Sequence, residues 1–178
     1  ERRGLPNLKS MVDAIPALVT DKAVKLFEKH KVFSKSELMS RRDVMYDTYS
    51  KTLNIEAKTM ISMASSQFIP AIIKYTKILA DSINATKEAM PEADISVQQE
   101  LLIKTSGLLS NANEALKKLR NLIIEAEDIN DGEQKARFFY EKVKPTMQEL
   151  RAPIDELELI VDRELWPVPT YGELLFEL

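Results

Sequence analysis

From Tyr46 onward the apolar residues recur at every third or fourth position: Tyr46, Tyr49, Leu53, Ala57, Met60, Ala64 and Phe68. That spacing places them on one stripe of a helix and predicts a single buried face. Beyond Pro70 the pattern resumes with Ala71, Tyr75, Ile78 and Leu79, so residues 35–89 read as one long helix, bent or broken near Pro70. Ser34-Lys35-Ser36-Glu37 has the form of a capping box and marks its start, and Met90-Pro91-Glu92-Ala93-Asp94 marks the turn that follows. A second seam takes in Leu101, Thr105, Leu108, Ala112, Ala115, Leu119, Leu122, Ala126 and Ile129 in alternating steps of four and three. Ser96-Val97-Gln98-Gln99 is read as its capping box and Asn130-Asp131-Gly132 as its end. A third seam steps through Ala136, Tyr140, Val143, Met147, Leu150, Ile154, Leu157 and Val161, with Pro145 and Pro153 off the packing face.

The flanks are shorter and punctuated by proline. Residues 5–19 predict a short helix limited by Pro6 and Pro16. Thr20 or Asp21 caps another running to about His30, where Lys29, His30 and Lys31 suit the negative end of the helix dipole. After the third seam, Trp166 sits among acidic residues and prolines, and Thr170-Tyr171-Gly172-Glu173 opens a final turn or two of helix carrying Leu174, Leu175 and Phe176. Trp166, Tyr171, Leu175 and Phe176 form an apolar group that gains by leaving water, either on its own bundle or on a neighbouring domain or subunit. No segment alternates with period two long enough to be a strand. The expected fold is all-α, an antiparallel bundle of long helices with short N-terminal helices and a Pro-rich C-terminal tail. The corresponding division is a helical lead-in at 1–33, a long-helix bundle at 34–161 and a tail at 162–178.

Composition adds constraints more than chemistry. With 44% hydrophobic and 30% charged residues, the chain has enough apolar surface to fold. It has no cysteine, which excludes disulfides and thiolate metal sites. No apolar run approaches the ~20 residues that span a bilayer, and no signal peptide opens the chain. A cytoplasmic location is the expectation, and the missing Met suggests a piece of a longer chain. The net charge of −3 is too mild to imply nucleic acid or an anionic membrane. It is unevenly spread, because residues 154–178 hold seven acids against Arg163 alone. That imbalance reads either as a solvated face or as an acidic tail that meets a basic surface elsewhere.

Nothing in the spacing reveals a reaction. The single histidine, His30, cannot by itself build a triad or a multi-histidine metal site, and reads as a helix-end residue. The four glycines are isolated and form no phosphate loop. Glu125, Glu127 and Asp128, like Asp155, Glu156 and Glu158, read as solvated helix faces. Glu56 lies close to the seam of the first long helix, where an acid must be paired, for instance with Arg41 or Arg120, or else exposed. Tyr46, Tyr49 and Tyr75 read as core residues whose hydroxyls reach solvent. The site assignments are therefore none for catalysis, none for cofactor binding and none for metal.

Three sets of strings carry a resemblance: Arg3-Gly4-Leu5-Pro6-Asn7-Leu8-Lys9; Tyr49-Ser50-Lys51-Thr52-Leu53-Asn54-Ile55-Glu56-Ala57; and Leu165-Trp166-Pro167 with Pro169-Thr170-Tyr171 and Leu175-Phe176. Their order and spacing resemble the C-terminal region of type III glutamine synthetase, the large-subunit form found in bacteria, over essentially the whole chain. The resemblance implies an ATP-dependent ligation of ammonia to L-glutamate through a γ-glutamyl phosphate, with Mg²⁺ or Mn²⁺, in a double-ring dodecamer. It also implies that the catalytic acids and arginines lie on a preceding sheet-based domain, since no position here matches them. The expected partners are that upstream domain and further copies of the chain, with no nucleic acid and no membrane. The role left for this region is structural or oligomeric, and the fragment alone is expected to be inactive. The competing reading is a free-standing helical interaction or signalling module; a small helical metal enzyme is disfavoured because the seams supply no Glu-x-x-His pair.

Overall fold

The structure, a computed structural model, describes residues 3, 4 and 6–176, and of Tyr171 only the backbone. Leu5, one of the residues carrying the resemblance, lies outside the described residues, as does the side chain of Tyr171. Among the described residues every regular element is helical, in agreement with the all-α expectation. In chain order they are α1 (Met11–Ala14), a 3₁₀ turn (Ile15–Val19), α2 (Asp21–Lys29), α3 (Lys35–Met63), a π turn (Ala64–Phe68) and α4 (Ile69–Ala89). There follow α5 (Ser96–Glu127), α6 (Gly132–Phe138), a second π turn (Phe139–Val143), α7 (Lys144–Glu158) and α8 (Tyr171–Phe176).

The chain forms two compact units. The first contains Glu1–Ala57 and Leu122–Pro145. Its core gathers Val12 and Ile15 from the N-terminal turns, Tyr46 from α3 and Ala136 from α6, with Tyr49 and Tyr140 packed at the edge. Arg137 bonds Glu133 on α6 at 3.1 Å and lies 3.8 Å from Asp13 on α1. The second unit contains Lys58–Asn121 and Thr146–Leu178. Within it Lys104 faces Glu156 and Lys118 binds Glu149 at 2.7 Å. Residue numbers rise along α5 as they fall along α7, so these two helices run antiparallel. Leu119, Leu150 and Leu157 are fully buried there.

Local chemistry explains most of the boundaries. Ser10 caps α1 and Thr20 caps α2, accepting from Asp13 N–H at 3.0 Å and Ala23 N–H at 3.3 Å. At the end of α2 the chain turns through Lys31 in the left-handed region, φ 54°. Lys31 N–H then reaches the Glu28 carbonyl and Val32 N–H the Phe27 carbonyl, both at 3.0 Å, which satisfies two helix-end acceptors. The Ser34 box forms as expected: Ser34 N–H donates to Glu37 at 2.7 Å and Glu37 N–H donates back to the Ser34 hydroxyl at 3.3 Å.

Four expectations need correction. No helix forms over residues 6–10; the first begins at Met11. The start of α5 is set not by a Ser96 box but by Asp94, whose carboxylate accepts Ser96 N–H at 2.9 Å. The third seam does not lie on one continuous helix: it is carried by α6, a π turn and α7, which stops at Glu158. Finally, the stripe after Pro70 changes phase, burying Ile72 completely while Ile78 is 51% exposed.

Both π turns end two residues before a proline, Pro70 or Pro145. Proline lacks an N–H and its ring clashes with the carbonyl four residues back. A widened turn relieves that clash and inserts one extra residue into the helical count, which rotates every later side chain. Pro153, by contrast, sits inside α7 and is buried.

Candidate functional site

A cleft lined mainly by apolar side chains lies wholly within the second unit. Its volume is about 420 Å³, with Met60, Met63 and Phe68 on one wall, Ile154 on α7 opposite, and Trp166 and Leu174 from the tail. Its volume falls in the range of small-molecule and peptide sites. Trp166 is 4% exposed, and its ring packs on Phe68 with centroids 5.1 Å apart. The rim carries Arg151, Asp155 and Glu158, and Arg151 Nε donates to Asp155 at 3.1 Å.

A clasp holds the tail beside this cleft. Arg163 Nε and Nη2 reach Glu173 Oε1 at 2.7 and 2.6 Å. The other oxygen of Glu173 accepts Thr170 N–H at 2.7 Å, completing the capping box of α8. The Thr170 bonds, then the Arg163 guanidinium, hold the Glu173 carboxyl below its usual range. The Thr170–Glu173 box was legible from spacing alone. Its partner Arg163 was signalled only as the one cation in an acidic stretch.

The apolar group expected of the tail divides. Trp166 is docked on its own unit, whereas Leu174, Leu175 and Phe176 are 67%, 75% and 84% exposed. Met60 and Phe68 of the cleft belong to the first packing seam read from the sequence, and periodicity could not show that their stripe remains open on one side.

The residues singled out for chemistry are not brought together. His30 is exposed at the end of α2, with its backbone N–H bonded to the Leu26 carbonyl at 3.2 Å. Glu56 is exposed; of its suggested partners, Arg41 lies 4.1 Å over the Phe33 ring and Arg120 donates to Ser65. Glu125, Glu127 and Asp128 are exposed, while Asp155 and Glu156 face Arg151 and Lys104. Tyr46 is buried and Tyr49 and Tyr75 are half-buried; burial raises all three phenol pKa values, and Glu133 adds to the rise at Tyr46. Among the described residues no three His, Asp or Glu side chains are placed to hold a metal ion. The isolated glycines offer no phosphate cradle either. No helix is long and apolar enough to cross a membrane among the described residues.

Comparison with known proteins defines the class. Residues 1–87 match the family model of the glutamine synthetase C-terminal domain. The similarity then extends over nearly the whole chain. It is 31% identical over 177 residues to a glutamine synthetase of Butyrivibrio fibrisolvens, covering 99% of this chain and 25% of that protein. It is 34% identical over 182 residues to a type-3 glutamine synthetase of Dictyostelium discoideum, covering 98% and 24%. A glutamine synthetase of Bacteroides fragilis is 28% identical over 182 residues, covering 98% and 25%. Over residues 1–87 the chain is thus similar to the glutamine synthetase C-terminal domain, and over nearly its whole length to glutamine synthetases, a type-3 one among them. It spans about a quarter of the length of each relative. Since Dictyostelium is not a bacterium, the likeness is not confined to bacterial proteins.

Proposed function

We propose that this chain is the helical C-terminal part of a glutamine synthetase that joins ammonia to L-glutamate at the expense of ATP, with Mg²⁺ or Mn²⁺, and that its own contribution is structural. One observation carries the reading. The chain matches proteins named glutamine synthetase along 98–99% of its length, yet accounts for only about a quarter of theirs. The described residues supply tight helical packing and surface ion pairs, the material of a scaffold. The reacting groups therefore belong to another part of the protein, and the natural partners are that part and further copies of the chain, as in a dodecamer. The isolated chain is expected to have no synthetase turnover and to give no saturable heat on titration with Mg²⁺–ATP.

The deciding experiment removes this region from the whole protein and measures particle size and glutamine formation together. Loss of the large assembly is the expected result. An unchanged size and unchanged turnover would defeat the structural reading, and micromolar Mg²⁺–ATP binding by this chain alone would defeat the placement of catalysis elsewhere.

A further inference from the structure

We propose that the second unit pairs with a second copy of itself, the Leu175–Phe176 end of α8 from each copy entering the Met60/Met63/Phe68 cleft of the other. The contact rests on the structural reading above and specifies the partner that reading leaves open. Plug and socket lie side by side on one chain. Leu174 lines the cleft edge, while the next two residues are among the most exposed large apolar side chains of the molecule.

Leu175 and Phe176 do not line the cleft of their own chain. Glu173 is tied at once to Arg163 and to the start of its own helix, which fixes α8 at the rim. Pro167 and Pro169 stiffen the short link back to the docked Trp166. A surface that carries both a plug and an adjacent unfilled socket is self-complementary, and a two-fold axis lets each copy satisfy the other. A phenylalanine alone buries roughly 150–250 Å². Two plugs, each two side chains long, together with the cleft walls they cover, bring the contact to the order of 1,000 Å², the lower bound of specific pairings. Methionine at two wall positions suits a socket that must adapt to an inserted side chain.

The chain has no cysteine, so introduced thiols report unambiguously. Two differently tagged forms, one with Met60→Cys and one with Phe176→Cys, are mixed and oxidised; Met63→Cys serves as a second wall position should the first disturb folding. A mixed disulfide dimer is expected, and none when Ile103→Cys, on an exposed face of α5, replaces the wall thiol. Leu175→Asp with Phe176→Asp should weaken dimerisation in sedimentation by roughly a hundredfold or more. Absence of a mixed dimer above the Ile103 control with both wall thiols, or an aspartate variant that pairs as tightly as the parent, overturns the contact. If no mixed dimer forms while deletion of the region still breaks up the whole protein, this contact is wrong and the structural role stands.

Discussion

Thr105 shows what a single position in a seam can conceal. Its place in the four-three spacing predicts burial, and it is completely buried in α5. Spacing could not show that its hydroxyl would find no hydrogen-bond partner among the described residues. A buried, unsatisfied polar group costs about 1–3 kcal/mol, more than a typical satisfied bond contributes. Valine has nearly the same shape and the same preference for a restricted rotamer, so Thr105→Val should raise stability by about 1 kcal/mol. Urea unfolding followed by circular dichroism checks this, and a fall in the midpoint would show that the hydroxyl has a partner. Glu56 shows the opposite case. Sequence placed it near the seam and left pairing or exposure open; the helix turns it to solvent, one position away from the buried Ala57.

Caps and turns decide how the elements begin and end, and their legibility varied with the chemistry involved. The Ser34–Glu37 and Thr170–Glu173 boxes were readable because both partners lie within one turn of the chain. The Ser96 assignment failed because Asp94, two residues upstream, takes the Ser96 N–H that the Gln99 side chain would have accepted in a box, while Gln99 N–H bonds the Ile95 carbonyl. The π turns were not legible, since a proline in a helix announces a disturbance but not whether the helix bends, breaks or widens. The carboxyls of Glu37, Asp94 and Glu173 all lie below their usual range, chiefly because each accepts a backbone N–H. A carboxyl lowered in the folded state stabilises above its unfolded value, and the gain is lost as pH falls through the folded value. The amide resonances at the starts of α3, α5 and α8 are therefore expected to titrate below the ordinary carboxylate range as the caps release, while the helix middles stay formed. In Glu37→Gln the change at the start of α3 should vanish; a titration there identical to the parent would refute the cap as its cause.

At the scale of the whole molecule, the likeness to glutamine synthetases was legible from three sets of strings, at residues 3–9, 49–57 and 165–176, because their order and spacing match together even where no single string carries a mechanism. The open cleft was not, because a helical stripe has the same period whether or not another helix covers it. What the molecule can tolerate follows from magnitude. Leu119 and Leu150 are 0% and 1% exposed in the second unit. Truncating either to alanine should cost roughly 2–5 kcal/mol. A domain's whole stability is about 5–15 kcal/mol, so losing both consumes most of it. Leu108, only partly buried on the same helix, should cost less on truncation. The Leu119→Ala/Leu150→Ala double variant is accordingly expected to lose its cooperative urea transition at room temperature, with each single variant retaining one at a lowered midpoint. If the double variant kept a cooperative transition near the parent's midpoint, the packing of α5 against α7 could not be what holds this unit together.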